Sequence, residues 1–262
     1  MIPAIAIREW EKEYPWASKQ QVEQDLIICR ALVAIYNDEF LSSRLAFRGG
    51  TALHKLYLAP QSRYSEDIDL VQIEAGNVGI ILDKLREVLS FLGKPVIKQK
   101  KNNNTMVFRV DSTFPPIMPI RLKIEINCKE HFNVLGLVKI PFEVKNQWFD
   151  GSCEITTYKL DELIGSKLRA LYQRKKGRDL FDLQKALENK NLNTDNVIKC
   201  YYTYISFSDG ESPSRAVYLA NMKEKIEEDV FLKDTQALLR PSLVFNPQEA
   251  YEIVRKELIE KL

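Results

Sequence analysis

A pair of glycines followed by two alternating aspartates constrains this chain more than any other feature of its sequence. Gly49 and Gly50 follow a short apolar run, and Asp67 and Asp69 occupy alternate positions of the segment 65–70. Glycines permit a tight turn at which a phosphate can approach the backbone, while alternation of polar and apolar residues is typical of a strand. The order therefore predicts a strand, a Gly-Gly turn, a helix and a second strand.

The two aspartates fall on one face of the predicted second strand, because successive strand residues point to opposite faces. Their Cα atoms are then about 6.6 Å apart, from a rise of roughly 3.3 Å per residue. Both carboxylates can converge on one magnesium ion, which completes its ligand shell with water and substrate phosphates. Two solvated aspartates at a strand end are the simpler alternative. The preceding glycines and helix favour a metal-nucleotide site at Asp67 and Asp69.

A third carboxylate stands on another predicted strand, residues 121–127. Leu122, Ile124 and Ile126 face the core in this pattern, and Glu125 faces the opposite side. In a two-metal phosphoryl-transfer centre, Glu125 would complete the second metal site and help to activate the attacking hydroxyl. A cross-strand ion pair with a lysine or arginine explains Glu125 equally well, and both interpretations stay open.

Two predicted helices in the second half carry charges at informative positions. In the helix predicted over residues 156–174, Lys167 falls within the apolar stripe. Such a lysine either extends to the rim or points into a cleft of negative charge, which a nucleoside triphosphate would supply. Asp179 and Asp182 share one face of the following helix. They either cap the helix, with Arg178 pairing with Asp182, or serve the site. In the second case Asp182 orients Lys167 or a basic neighbour toward phosphate, or reaches the substrate hydroxyl.

Apolar periodicity and end signals predict the remaining elements. Ser18 is the predicted N-cap of a helix over residues 19–40, and Asn246 caps the last helix. Further helices are predicted at 77–92, around 197–205 with Thr194 as N-cap, and at 214–230. Strands at 96–97 and 106–110 flank a charged hairpin tip with Lys98, for which a solvated loop is a simpler interpretation than contact with RNA phosphate.

Composition excludes several classes of protein. With 262 residues, 45% of them hydrophobic, the chain is globular and not disordered. Its 38 basic and 36 acidic residues nearly balance, so any basic surface must be local. No apolar run suits a signal peptide or a membrane span. Four scattered cysteines argue against a disulfide framework or a zinc site, and a cytoplasmic location is expected.

In combination, the glycine pair, the alternating aspartates and the charged positions of the two later helices resemble the AbiEii/AbiGii toxin family of nucleotidyltransferases, which includes the MenT toxins. The resemblance runs from Arg48 to Asp182, a little over half of the chain. It rests on Arg48-Gly49-Gly50-Thr51-Ala52-Leu53, Ser65-x-Asp67-x-Asp69-Leu70, Lys167-Leu168-Arg169-Ala170-Leu171 with Arg174, and Arg178-Asp179-x-x-Asp182. It implies an α+β fold, in which a polymerase beta-like nucleotidyltransferase core, a mixed sheet with flanking helices, occupies residues 1–150. A mostly helical C-terminal lobe would occupy residues 151–262.

The resemblance also implies roles for individual residues. The magnesium ligands would be Asp67 and Asp69. The nucleotide-binding residues would be Arg48, Gly49, Gly50, Ser65, Lys167, Arg178 and Asp179. The catalytic residues would be Asp67, Asp69, Lys167 and Asp182, with Glu125 as the candidate third carboxylate.

The function implied by the resemblance is magnesium-dependent transfer of a nucleotide from a nucleoside triphosphate to an RNA acceptor, which in some family members is the 3′ end of tRNA. The protein would be the toxin of a toxin–antitoxin or phage-defence pair, with its antitoxin encoded beside it and no membrane partner. Two alternatives stay open. One is nucleotide transfer to a small molecule such as an antibiotic, and the other is a non-catalytic regulator that binds nucleotide.

Overall fold

The computed structural model describes residues 2–262, which form two compact units. The first ends at Tyr158 and the second runs from Lys159 to Leu262. The predicted division after residue 150 falls inside the strand Phe149–Tyr158, which is paired along its length with a neighbouring strand. Within residues 2–262, no helix is both long and apolar enough to cross a membrane.

The first unit is built on a mixed sheet. Within residues 2–262 its seven strands are β1 Leu45–Arg48, β2 Asp67–Gln72, β3 Val96–Gln99, β4 Asn103–Asp111, β5 Pro119–Asn127, β6 Leu137–Asn146 and β7 Phe149–Tyr158. They lie in the order β3-β4-β5-β2-β1-β7-β6. β1 pairs antiparallel with β2 and parallel with β7, and β2 pairs parallel with β5. The strands that carry the glycine turn, the aspartates and Glu125 are therefore adjacent.

Alternation along the strands separates a buried face from a polar face. Ile68 and Leu70 on β2 are buried, as are Ile124 and Ile126 on β5, while Asp67 is only partly covered. Helix α2 packs on the sheet through β5, β6 and β7. The helices of this unit are α1 Ala4–Glu13, α2 Lys19–Tyr36, α3 Glu39–Ser42, α4 Gly49–Leu56 and α5 Val78–Val88.

A buried ion pair fixes α4 to the helices beneath it. Lys55 Nζ on α4 lies 2.8 Å from Asp25 Oδ1 on α2, and the two side chains are 3% and 0% exposed. Trp10 Nε1 on α1 donates to the other carboxylate oxygen of Asp25 at 3.0 Å. The lysine also contacts Cys29 Sγ at 3.2 Å. Attraction and hydrogen bonds offset the desolvation of the two charges, so Lys55 holds the helix that begins at Gly49 to α2 through two contacts.

The second unit is helical. Its helices are α6 Leu160–Gln173, α7 Gly177–Leu187, α8 Thr194–Asp209, α9 Arg215–Lys225, α10 Asp229–Lys233 and α11 Pro247–Glu257. Helix α6 packs closely on α8 because Gly165 has no side chain; a Cβ there would lie 2.5 Å from Cys200 Cβ. Lys225 Nζ is buried and donates to Leu171 O at 2.5 Å and Tyr172 O at 2.6 Å. These bonds satisfy carbonyls in the last turn of α6.

The predicted elements agree with this structure in most places. Ser18 and Gln21 form a capping box at α2, and Asn246 caps α11 as predicted. The helix predicted from residue 156 begins at Leu160, since residues 156–158 belong to β7. The N-cap of α8 is Asn193 and not Thr194. Apolar periodicity and end signals did not predict α1, α3, α10, β6 or β7 as separate elements.

Replacing Lys55 by Met should destabilise the first unit strongly, because Asp25 would stay buried without its counter-charge. The expected loss in the free energy of unfolding is about 3–5 kcal/mol, measured by urea unfolding. The matched control is Lys145→Met, which breaks the exposed pair with Glu143 and should leave the unfolding midpoint unchanged. An equally small effect of both substitutions would contradict the role assigned to the buried pair.

Candidate active site

The Gly-Gly turn brings the start of α4 against the carboxylate of Asp69. Arg48, at the end of β1, is the register partner of Asp69 on β2. Gly49 has a φ of 81°, in the left-handed region that favours glycine. A Cβ at this position would collide with the Asp69 carboxylate. The glycine is therefore required both by its backbone conformation and by the carboxylate that lies against it.

Gly50 leaves room for a buried arginine. A Cβ at Gly50 would lie 2.5 Å from Arg63 Nη2 and 3.4 Å from Ser65 Oγ. Arg63 is 3% exposed, and its Nη1 donates to Tyr64 O at 2.9 Å. Its guanidinium places a positive charge beside the turn. Arg63 was not identified from the sequence, although it lies two residues before Ser65 in the same segment.

Thr51 joins the beginning of α4 to the entry of β2. Its hydroxyl donates to Asp67 O at 2.5 Å, and Ser65 Oγ lies 2.8 Å from Thr51 Oγ1. Thr51 is buried, whereas Ser65 is partly exposed. These contacts fix Ser65 and Asp67 relative to the glycines, so the two predicted motifs form one local structure.

Glu125 lies beside the aspartates as the alternation predicts. Asp67 and Lys123 are register partners, as are Asp69 and Glu125. Lys123 Nζ lies 2.7 Å from Asp67 Oδ2 and 3.3 Å from Glu125 Oε1. Glu125 is thus both a third carboxylate on this face and the partner of a lysine, so the two interpretations of Glu125 are compatible. Its catalytic role stays a prediction.

Burial makes Asp67 a weaker acid than an ordinary aspartate. Desolvation raises the pKa of its carboxyl from 3.8 to about 6, even though Lys123 favours the charged form. The neighbouring charges of Asp69 and Glu66 raise the pKa further. A divalent cation would relieve this accumulation of negative charge.

The donor set on β2 fits a magnesium ion. Asp67 and Asp69 present two hard oxygen ligands on one face, and magnesium typically takes one or two carboxylates together with water and phosphate oxygens. The ammonium of Lys123 already lies against Asp67, so this position accepts a cation. Within residues 2–262, no group of three or more His, Cys, Asp or Glu side chains is arranged to hold a metal, so the remaining ligands would come from water and substrate.

Arg48 is engaged with a buried glutamate. Its guanidinium forms an ion pair with Glu130, which is 5% exposed. Asn127 Oδ1 accepts from the backbone N–H of Glu130 at 2.8 Å and so holds this segment at the end of β5. Glu130 was not identified from the sequence, because nothing in its spacing links it to Arg48. Nucleotide binding by Arg48 stays a prediction.

The second unit contains a buried charge cluster around Lys167. Lys167 Nζ lies 3.0 Å from Asp179 Oδ1 and 3.0 Å from Asp182 Oδ2, and both aspartates are fully buried. Arg174 also binds Asp179, with Nε 2.6 Å from Oδ2. Burial opposes ionisation of Asp179, but Lys167 and Arg174 outweigh it and lower the pKa of this carboxyl. The structure thus brings together Lys167, Asp179 and Asp182 as one cluster.

Arg178 has a different partner from the one that its spacing suggested. Its backbone N–H donates to Asp234 Oδ2 at 3.1 Å, and its Nε lies 3.9 Å from the same oxygen. The sequence predicted pairing with Asp182, whereas Asp182 binds Lys167. Roles of Lys167, Arg178, Asp179 and Asp182 toward a nucleotide stay predictions.

Comparison with known proteins decides the family. Residues 30–256 match the model of the nucleotidyl transferase AbiEii toxin family, described as a type IV toxin–antitoxin system. The chain belongs to the AbiEii toxin family. The resemblance that its motifs predicted is confirmed, and this AbiEii family member is a nucleotidyltransferase toxin by fold and family. No curated protein sequence matches the chain.

Solved structures confirm the predicted fold of this AbiEii protein. The nucleotidyltransferase toxin MenT4 from Mycobacterium tuberculosis H37Rv superposes with a TM-score of 0.66 at 15% identity, over 98% of this chain and 90% of MenT4. JHP933 from Helicobacter pylori superposes with a TM-score of 0.52 at 17% identity, over 93% of this chain and 95% of JHP933. A putative nucleotidyltransferase from H. pylori superposes with a TM-score of 0.52 at 18% identity, over 94% of this chain and 99% of that protein. At these identities the similarity shows the fold.

Asp67→Asn should change how stability depends on pH. The folded protein binds more protons at Asp67 than the unfolded chain between its unfolded pKa of 3.8 and its folded pKa of about 6. Wild-type stability therefore falls as pH rises through this window, relative to the variant. By about pH 7 the variant should have gained up to roughly 3 kcal/mol relative to the wild type, from 1.36 kcal/mol per pKa unit. Urea unfolding with chelator present measures this difference, and a difference independent of pH would contradict it.

Lys167→Met should destabilise the second unit whether or not Lys167 contacts substrate, because Asp179 and Asp182 would lose a shared counter-charge. The expected loss in the free energy of unfolding is about 3–5 kcal/mol. Lys185→Met, which breaks a surface pair with Glu188, is the control and should cost about 0.5 kcal/mol or less. Equal stability of Lys167→Met and wild type in urea would refute the structural role of the cluster.

Proposed function

We propose that this AbiEii toxin transfers a nucleotide from a nucleoside triphosphate to the hydroxyl of an RNA acceptor, with Asp67 and Asp69 holding magnesium. The observation that supports this most strongly is the contact between the Gly49 backbone and the Asp69 carboxylate. It unites the phosphate-binding turn and the metal ligands in one site. Bound there, magnesium would neutralise phosphate charge and polarise the phosphorus–oxygen bond.

The transfer is an in-line displacement at the α-phosphorus. The acceptor oxygen forms a bond to this phosphorus while the bond to the oxygen that bridges to the β-phosphate breaks, and pyrophosphate leaves with that electron pair. The acceptor proton passes to a carboxylate, for which Glu125 beside Asp69 is the candidate. Most of the rate enhancement comes from positioning and from electrostatic stabilisation of the phosphoryl group.

The groups around the Gly-Gly turn bind and orient the triphosphate. The positive end of helix α4 begins at Gly49 and favours negative charge. Arg63 adds a cation beside Gly50, and Ser65 offers a hydroxyl at the same place. Lys123 pairs with Asp67 and Glu125 and limits their mutual repulsion. The site therefore has cations for the phosphates and carboxylates for the metal.

Family membership supports the proposed protein partner, and the RNA acceptor is part of the proposal. Type IV toxin–antitoxin membership supports an antitoxin as the protein partner, and a toxin that adds nucleotides to RNA, including the 3′ end of tRNA, would stop translation. The same chemistry would serve phage defence. Under this proposal the antitoxin is encoded beside the toxin gene.

Incubation with each α-labelled nucleoside triphosphate and total cellular RNA tests the reaction. We expect label in RNA with magnesium present and none after chelation. Asp67→Asn should lower the transfer rate at least about 1,000-fold, because loss of a metal ligand removes several kcal/mol of transition-state stabilisation. The variant should unfold at or above the wild-type temperature.

Two controls separate this proposal from its alternatives. Glu11→Gln, at a partly exposed pair with Lys19, should transfer label at the wild-type rate. Small-molecule acceptors replace RNA in a parallel reaction, and label transferred only to them would refute the RNA acceptor. Tight triphosphate binding without turnover on any acceptor would refute the enzymatic function itself.

A further inference from the structure

The polar face that carries the aspartates extends beyond them across β5 and β4. Arg121 lies two residues before Lys123 on β5. Arg109 on β4 is the register partner of Arg121. Lys123 is in turn the register partner of Asp67. Residues two apart on a strand, and register partners on neighbouring strands, point to the same face of a sheet. Arg109 and Arg121, which we call the arginine pair, thus share the face of Asp67.

The arginine pair is unfavourable for the fold itself. Both residues are exposed, and like charges directly opposite each other on antiparallel strands destabilise the pairing. Within residues 2–262, neither side chain takes part in a hydrogen bond or an ion pair. Lys123, two residues further along β5 on the same face, is paired with two carboxylates, whereas Arg121 is not. Local conflicts of this kind are expected at functional sites.

A third cation extends the same face to the edge of the sheet. Lys98 on β3 is the register partner of Thr105 on β4, and Thr105 is the register partner of Glu125. Lys98 is exposed, and its side chain has no ion-pair partner in the part of the chain that the structure describes. Thr105 and Arg109 are four residues apart on β4, which corresponds to about 13 Å, so Lys98 is a separate cation on this face, in the row of Glu125 and Asp69.

Distances set by the sheet relate the arginine pair to the aspartates. Arg121 is one strand and two residues away from Asp67, which corresponds to about 8 Å between Cα atoms for a strand spacing of about 4.8 Å and a rise of about 3.3 Å. Arg109 lies one further strand away. A strand whose terminal hydroxyl lies at Asp67 and Asp69 can therefore pass its preceding phosphates over the arginine pair.

We propose that the arginine pair, extended by Lys98, binds the phosphates of the acceptor nucleic-acid strand. This inference rests on the proposed nucleotide transfer to RNA and assigns the acceptor a surface on the first unit. Two planar guanidinium groups match phosphate oxygens by paired hydrogen bonds. A bound phosphate chain would also neutralise the repulsion between the arginines. The same surface could not select a base sequence, because phosphate contacts carry no sequence information.

Fluorescence anisotropy of labelled single-stranded RNA, without triphosphate, measures binding by wild type and by Arg109→Gln/Arg121→Gln. We expect at least about tenfold weaker binding by the double variant at low salt. The slope of log K against log salt should become shallower by about 1.4, from roughly 0.7 per lost phosphate contact. Its thermal midpoint should equal or exceed that of the wild type because the repulsion is removed.

The matched control removes the same charge elsewhere on the first unit. Lys84 and Arg86 lie on α5, which packs on α2 and α3, so Lys84→Gln/Arg86→Gln should keep wild-type RNA affinity and salt slope. Equal RNA binding by the arginine variant and this control would overturn the proposal, as would a wild type that binds no RNA. Competition by poly-glutamate as effective as competition by RNA at equal charge would assign the surface to an acidic protein and overturn the nucleic-acid assignment.

Kinetics of the transfer reaction distinguish RNA binding by the arginine pair from the proposed nucleotide transfer. With labelled triphosphate and RNA, the arginine variant should show a raised KM for RNA and an unchanged KM for triphosphate. RNA binding that depends on the arginine pair in a protein that transfers no nucleotide would refute the proposed function and keep the surface. Nucleotide transfer with the same KM for RNA in both proteins would refute the surface and keep the function.

Discussion

The contact between the Gly49 backbone and the Asp69 carboxylate is the constraint on which the site depends. It exists because residue 49 has no Cβ and a φ of 81°, and because β1 and β2 are paired so that Arg48 faces Asp69. Any other residue at position 49 would have to displace the carboxylate. A turn suited to phosphate and the two aspartates proposed as metal ligands thereby become one structure, although 16 residues lie between Gly50 and Asp67 in the chain.

Buried charges supply the rigidity around this contact. Lys55 and Asp25 fix α4 from below, and Thr51 ties its first turn to β2. In the second unit, Lys167 is held by two buried aspartates. Charges of this kind are costly to bury and are stable only when paired. An activity loss in Lys167 variants alone would therefore not separate catalysis from folding.

Local sequence patterns predicted the positions of the residues on the strands β2 and β5. The glycine turn and the alternation on β2 and β5 depend on neighbours in the chain, so Asp67, Asp69 and Glu125 were placed on one face correctly. Partners from distant segments leave no such signal. Glu130 meets Arg48 across 82 residues, and Lys123 reaches Asp67 only because β2 and β5 pair in one register.

The same distinction applies to the fold. β6 and β7 were missed because Pro141 and Gly151 interrupt their apolar pattern. Pro141 is tolerated because β6 is the edge strand of the sheet, where the missing N–H removes no necessary ladder bond. The edge position of β6 depends on which strands pair with each other, and these pairings cannot be read from the sequence. Capped, strongly periodic elements such as α2 were predicted more reliably because their end signals are local.

Binding of Mn²⁺, measured by electron paramagnetic resonance with a non-hydrolysable triphosphate, tests whether the Gly49 turn, Asp67 and Asp69 form one metal-nucleotide site. The wild type should bind Mn²⁺ tightly, and Asp69→Asn should lose that binding while it stays folded. Gly49→Ala should also lose it, although both aspartates are intact, because the carboxylate must move. If Gly49→Ala and Asp69→Asn bound Mn²⁺ with the affinity of the wild type, the Gly49 turn and the two aspartates would not form a single metal-nucleotide site.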